Sequence, residues 1–172
     1  MNGAVKHGLI IGLIGIAFTT LTYLMGPEAA SGPLSYVVFA VTIGLLVYFG
    51  IQGRKDNGGY FSFGEAFKYV FITAIVGTVI SFVFQYVLYG IIDPSYYTQV
   101  GEMALEKIGE MYESMGMDQE QIDAAMEQAK GSMGYSIKNV LIGLGGTSVF
   151  YAVVAAIIGA IIKKQNPEEG SF

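Results

Sequence analysis

Apolar residues gather into four long runs along the chain, separated by short segments that contain charges, glycine or proline. The runs cover residues 8–25, 34–51, 69–92 and 137–162. A helix needs about 20 mostly apolar residues to cross the hydrocarbon core of a bilayer. The pattern therefore predicts an all-α, polytopic membrane protein with four transmembrane helices in a single membrane domain over residues 1–172.

The first run has a cleaved signal peptide as its alternative, because Lys6 precedes it and Ala29-Ala30-Ser31 follows it. The apolar part of a signal peptide is usually about 7–15 residues long. This run is longer and rich in glycine, which favours a helix that remains in the protein.

The polar segment between the third and fourth runs, residues 93–136, has the pattern of two amphipathic helices. Asp93 is suited to cap the first of them, Pro94 suits its first turn, and Gly116 interrupts the pattern. Apolar residues recur at helical spacing before Gly116 and after it: Ala104, Ile108, Met111 and Met115, then Ile122, Ala125, Met126, Ala129 and Met133. We therefore expect an amphipathic helical hairpin inserted between transmembrane helices 3 and 4.

Charged residues make up only 13% of the chain, whereas soluble domains carry about 25%. The charge is uneven, because residues 93–135 hold nine acidic and two basic side chains. No basic patch is available to meet phosphates, which argues against nucleic acid as a partner. The chain has no cysteine and a single histidine, His7, which excludes disulfides, thiolate metal sites and multi-histidine zinc sites.

Basic residues concentrate at one end of the predicted helices. Six of the nine flank the side that holds both termini and the second loop: Lys6, Arg54, Lys55, Lys68, Lys163 and Lys164. Loops rich in lysine and arginine stay in the cytoplasm, so both termini are predicted to be cytoplasmic. The hairpin is then predicted to be extracytoplasmic.

Small residues recur at four-residue spacing in three of the runs. Gly8 and Gly12 lie in the first run, Gly77 and Ser81 in the third, and the fourth contains Ala152, Ala156 and Ala160. Such motifs let membrane helices approach closely. They serve packing within one chain or a homodimer through the first or fourth helix, and spacing does not separate the two.

Three polar residues of the third predicted helix are candidates for a functional polar site. Glu65 and Lys68 can pair at i,i+3 near its cytoplasmic boundary, and Gln85 lies deep in the run. The alternative is structural, since Ser62 with Glu65 also has the spacing of a capping box. Gln85 does not share a helix stripe with Glu65, Lys68 or Asp93, which weakens a proton-coupled transporter.

Six of the eight methionines lie in the predicted hairpin. Five are candidates for contact with a partner: Met103, Met111, Met115, Met126 and Met133. Binding of copper(I) is the alternative role of such thioethers, but no histidine or cysteine accompanies them. The acidic residues lack EF-hand spacing for Ca²⁺. We therefore expect no metal and no cofactor.

Signatures of catalysis are also missing, including the nucleophile elbow, the P-loop, HExxH and the dinucleotide fingerprint. We therefore expect no enzyme and no catalytic residues.

Three motifs carry a resemblance to a known family. They are Lys6-His7-Gly8, the segment 59–67 that includes Glu65, and Asp93-Pro94-Ser95-Tyr96. The chain resembles the uncharacterised bacterial, Bacteroidota-type membrane proteins of domain-of-unknown-function family 4199. The resemblance implies a four-helix protein of the inner (cytoplasmic) membrane and supplies no activity, substrate or catalytic residue.

Two functions are consistent with these patterns. The first is a non-enzymatic membrane protein whose acidic, methionine-rich hairpin contacts another membrane or envelope protein. The second is a small transporter or channel subunit with a polar site near Glu65, Lys68 and Gln85. In either case the lipid bilayer is the first partner of the chain.

Overall fold

The computed structural model describes residues 2–30, 32–131 and 137–165. In chain order these ranges contain α1 (Asn2–Met25), α2 (Pro27–Ala30), α3 (Leu34–Asp56), α4 (Phe63–Val87), a π-helical turn (Leu88–Ile92), α5 (Pro94–Ser114), α6 (Gln119–Gly131) and α7 (Ile137–Ile162). Four helical segments are long and apolar enough to cross a membrane: Gly3–Met25, Leu34–Asp56, Phe63–Ile92 and Ile137–Ile162. The predicted all-α class with four transmembrane helices is confirmed.

Two helices begin several residues before the apolar runs that predict them. α1 begins at Asn2 and α4 at Phe63, because polar residues are accommodated in the first turns. At α4 the Ser62 side chain accepts a hydrogen bond from the Glu65 backbone N–H, and the Glu65 carboxylate accepts one from the Ser62 N–H. This capping box fixes the start of the helix, which hydropathy alone does not locate.

α4 is the central helix, because it packs against α1, α3 and α7. Glycines bring α1 and α4 together, with Gly8 facing Val76 and Gly77 facing Ile11. The Gly8 motif is thus used inside the bundle. On α7 the fully buried small pair is Ala155 and Gly159, whereas Ala152 and Ala156 are half-buried and Ala160 is exposed.

The main apolar core lies at the end of the bundle that holds residues 2–8 and 158–165, here called the termini end. Leu46, Val70, Ala155 and Ile158 belong to it. The buried residues of α3 all lie in its second half, from Leu46 to Gly53. α3 is therefore buried only toward the termini end. Its first half lies away from the core at the opposite end, which carries α5 and α6 and is here called the hairpin end.

The turn between α3 and α4 closes the termini end. Phe61 and Lys164 exchange two backbone hydrogen bonds of 3.0 and 2.8 Å, and the Arg54 guanidinium donates to the Ile162 carbonyl oxygen at 2.8 Å. A cation at the C-terminus of a helix satisfies a free carbonyl and complements the helix dipole. The end of α7 is thereby fixed to the loop that precedes α4.

The helices α5 and α6 pack against each other at the hairpin end. Leu105 and Ile122 are buried between them, and Met126 lies over Gly109. Gly116, between the helices, has a positive φ of 76°, which glycine adopts without strain. Among the described elements α6 contacts α5 alone, whereas α5 also contacts α2 and the π-helical turn.

Candidate functional site

A cavity of about 380 Å³ lies between the first half of α3 and the helices α1, α4 and α7. It exists because α3 packs tightly on α4 only near the termini end. Its floor is apolar and is formed by Ile11, Leu46 and Ala74, which border the main core. The cavity reaches toward the hairpin end at Thr22, where α2 follows α1.

Hydroxyl and amide groups line much of this cavity. Thr22 and Thr42 donate their hydroxyl hydrogens to backbone carbonyls of the preceding turn, at 3.1 and 2.9 Å. Six other polar side chains of the lining make no hydrogen bond to any residue that the structure describes: Thr19, Thr78, Ser81, Gln85, Thr147 and Tyr151. A cluster of unpaired polar groups inside an apolar bundle is a candidate binding site.

Asp93 connects the bundle to α5. The contact region around it, formed by Tyr23, Tyr89, Asp93, Ser95 and Tyr96, is here called the joint. One carboxylate oxygen, Oδ1, accepts hydrogen bonds from the Ser95 hydroxyl at 2.6 Å and the Tyr96 N–H at 3.0 Å. The other, Oδ2, accepts the Tyr23 hydroxyl of α1 at 3.0 Å. The predicted cap of α5 by Asp93, with Pro94 in its first turn, is confirmed. The same carboxylate also ties α5 to α1.

Tyrosine rings complete the joint. Tyr96 is buried, stacks on Tyr89 with ring centroids 5.5 Å apart, and lies 4.8 Å from the Tyr23 ring. Its hydroxyl donates to the Thr22 carbonyl oxygen at 2.9 Å. Burial, with smaller contributions from Tyr23 and Asp93, raises the pKa of Tyr96. Tyr96 therefore remains a hydrogen-bond donor at neutral pH.

The joint is expected to weaken in acid. The Ser95 hydroxyl, the Tyr96 N–H and the Tyr23 hydroxyl lower the pKa of Asp93, so its charged form is stabilised by folding. A carboxylate with a lowered pKa contributes stability above its ordinary pKa, and this contribution is lost as the pH falls through the folded-state value. At pH 7 the unfolding midpoint of the wild-type protein should be higher than that of Asp93→Asn. This difference between the two midpoints should shrink below about pH 4. A difference that stays constant from pH 7 to pH 3 would contradict this assignment.

The three polar candidates from the sequence do not form one site. Glu65 is exposed, and its carboxylate accepts the Ser62 N–H and hydroxyl, both at 2.8 Å. No hydrogen bond or ion pair joins Lys68, which is also exposed, to any described residue. Gln85 lies twenty residues from Glu65 on α4, about 30 Å along the helix, and lines the cavity.

The methionine candidates are placed in three different surroundings. Met111 is exposed on α5, and Met115 is exposed at the C-cap of this helix. Met103 is half-buried next to Pro27 of α2, and Met126 is half-buried inside the hairpin. Met133 lies outside the described residues.

Comparison with known families identifies the chain. A family model described as a protein of unknown function (DUF4199) matches residues 6–164. The chain belongs to the DUF4199 family. Comparisons with curated proteins and with solved structures found no match.

The DUF4199 match includes the cavity, the joint and α4 in full. The motifs that first suggested the family have structural roles here. Gly8 packs against α4, Ser62 and Glu65 cap α4, and Asp93 caps α5. Membership in the family thus agrees with the fold and assigns no chemistry.

One DUF4199 motif residue has contacts that the sequence did not indicate. The His7 Nδ1 atom lies 2.8 Å from the Tyr69 hydroxyl, and its ring stacks on Phe49 at 4.3 Å. These contacts join α1, α3 and α4 at the termini end.

Proposed function

We propose that this DUF4199 protein is a non-enzymatic, multi-pass protein of the bacterial inner membrane whose extracytoplasmic hairpin contacts another membrane or envelope protein. One observation carries the proposal. Ile108 and Met111 of α5 form an apolar stripe with the C-cap residue Met115, and the three are 37%, 50% and 69% exposed. Their spacing of three and four residues is the spacing with which a helix face enters a groove on a partner.

The orientation of the hairpin follows from the distribution of basic residues. Lys6, Arg54, Lys55, Lys163 and Lys164 lie at the termini end. Positively charged flanks remain cytoplasmic, so the hairpin end is assigned to the outside. The exposed stripe is then available to proteins of the envelope.

Charged residues lie on both sides of α5. Glu106, Glu110 and Glu113 are exposed on the side away from the stripe, whereas Lys107, also exposed, lies at its edge next to Ile108. The excess of acidic residues on the helix disfavours anionic lipid headgroups. Methionine side chains adapt to irregular apolar surfaces. The occupant that fits is a protein with an apolar groove.

A transport path through Glu65, Lys68 and Gln85 is not proposed. Glu65 is engaged in the cap of α4, and Gln85 lies near the other end of the same helix. The buried side chains of Ile11, Leu46 and Val70 fill the core between them. The geometry therefore gives a second function no specific support.

A photo-crosslinking amino acid in place of Met115, in the full chain in native membranes, tests the contact. We expect one crosslinked membrane or envelope protein with an apolar groove, and we expect Met111→Glu to reduce the product at least fivefold. The matched control places the crosslinker at Glu113, which is exposed on the opposite side of α5. This position should yield little of the same product.

Three results would contradict the proposed contact. They are crosslinking to lipid alone, equal products from both positions, and a product that consists of two copies of this chain. Failure of Met111→Glu to reduce the product would also remove the stripe from the contact.

A further inference from the structure

The cavity between α3 and the other long helices contains more polar groups than the bundle itself satisfies. On α4, the side chains of Thr78, Ser81 and Gln85 face it and make no hydrogen bond to any described residue. Thr147 and Tyr151 of α7 also line the cavity without a hydrogen bond to any described residue. The cavity is partly open to the surroundings of the bundle. Unpaired polar groups at membrane depth are unfavourable, so something that forms hydrogen bonds is expected to occupy this space.

The lining is also free of charge. Among the residues that the structure describes, no acidic, basic or histidine side chain belongs to it. A charged head group would have no counter-ion in a site of low dielectric, which is strongly unfavourable. An occupant of this cavity is therefore neutral, and hydroxyl or amide groups match the donors and acceptors that the walls offer.

Polar and apolar surfaces are arranged along the length of the cavity. Ile11, Leu46 and Ala74 form the floor, whereas Thr22, Ser35 and Gln85 lie toward the hairpin end. From Ile11 to Thr22 the cavity extends about 16 Å along α1. A volume of about 380 Å³ over this length is narrow. It suits one apolar chain with a small polar head.

Water alone does not match this arrangement. The volume falls in the range of small-molecule sites, which combine apolar walls with a few convergent polar groups. Phe18 and Phe82 contribute aromatic walls, and ordered water requires two to four polar partners for each molecule. The apolar floor supplies no such partners.

We propose that the cavity binds a neutral, single-chain amphipathic molecule, with its hydroxyl- or amide-bearing head among Ser81, Gln85 and Thr147 and its apolar chain directed at Leu46. This site does not depend on the hairpin contact proposed above. It lies inside the bundle, whereas the contact stripe lies on α5.

The absence of tryptophan from the chain allows a direct binding measurement. Phe18→Trp places a single tryptophan on the cavity wall, and excitation at the red edge of its absorption avoids the tyrosines of the chain. With the full chain in phosphatidylcholine nanodiscs, a monoacylglycerol that carries a brominated chain should quench this fluorophore saturably. The fatty acid with the same brominated chain carries a carboxylate and should quench only weakly and without saturation.

Substitutions in the reporter chain assign the head group to the polar wall. Gln85→Leu and, independently, Thr147→Val should each weaken binding of the monoacylglycerol at least fivefold. Thr20→Val is the matched control, because Thr20 is exposed on α1 and lies outside the lining. It should leave binding unchanged.

Two results would overturn this proposal. One is equal, non-saturable quenching by the glyceride and the fatty acid, which would leave water as the occupant. The other is unchanged binding in both Gln85→Leu and Thr147→Val. Either result would leave the crosslinking at Met115 unaffected.

Discussion

Gly8→Ala is expected to destabilise the bundle by about 1–3 kcal/mol, the range for overpacking a well-packed interior. A methyl group at Gly8 would lie 2.6 Å from the Cβ atom of Val76 and 2.9 Å from the backbone oxygen of Thr73. Neither atom can yield without moving α4. The midpoint of unfolding by sodium dodecyl sulfate, measured on the purified protein, should fall accordingly.

Gly44→Ala is the matched control for this substitution. Gly44 lies within α3, another membrane-spanning helix, and a methyl group there would meet no atom within 4 Å. Because alanine is the better helix former, this variant should be as stable as wild type or slightly more stable. Equal midpoints for Gly8→Ala and Gly44→Ala would show that α1 and α4 are further apart than the structure places them.

Tyr96→Ala should release α5 from the bundle, with a loss of about 3–5 kcal/mol, the range for truncation of a buried aromatic side chain. The substitution removes the stacking on Tyr89, the contact with Tyr23 and the hydrogen bond to Thr22. Tryptic cleavage after Lys107 of α5 should become faster, because the undocked helix opens more often.

Two further variants separate the parts of this effect. Tyr96→Phe keeps the ring and loses only the hydroxyl, so its effect should be near 1 kcal/mol. Tyr36→Ala truncates a tyrosine that is 76% exposed on α3 and should leave cleavage unchanged. Cleavage after Lys107 at the wild-type rate in Tyr96→Ala would mean that other contacts dock α5.

The hydrophobic pattern predicted the fold class because membrane-spanning helices have a strong sequence signal. Residues 137–162 were predicted as one helix and form α7 with the same bounds. The apolar runs begin later than α1 and α4, since polar residues such as Lys6 and Glu65 lie in the first turns of these helices. The spacing of Ser62 and Glu65 nevertheless predicted the capping box at the start of α4, and the structure confirms it.

The candidate site was only partly predictable. Gln85 was identified as a polar residue within an apolar run, but its neighbours in the cavity were not. Thr78, Ser81 and Gln85 recur at spacings of three and four residues on α4, and this helical polar stripe is a signal that sequence alone contains. Tertiary packing decides which polar stripes of different helices meet. The sequence alone therefore does not predict the cavity.

The exposure of the stripe formed by Ile108, Met111 and Met115 was also not predictable from the sequence. The spacing placed Ile108, Met111 and Met115 on one face of a helix but did not reveal which face α6 would cover. Leu105 and Gly109 receive α6 instead, because the glycine provides room for Met126. Met111 and Met115 are therefore left exposed, because α6 packs against another side of α5.

The central position of α4 has a consequence for the biogenesis of the protein. α1 and α4 are synthesised before α7, and their glycine-mediated contact can form as soon as both are in the bilayer. α7 contributes Ala155 and Gly159 to the packing on α4 and Thr147 to the cavity. Until α7 is inserted, one side of α4 faces lipid and the cavity lacks a wall. The occupancy proposed above would therefore distinguish a completely inserted chain from a translation intermediate.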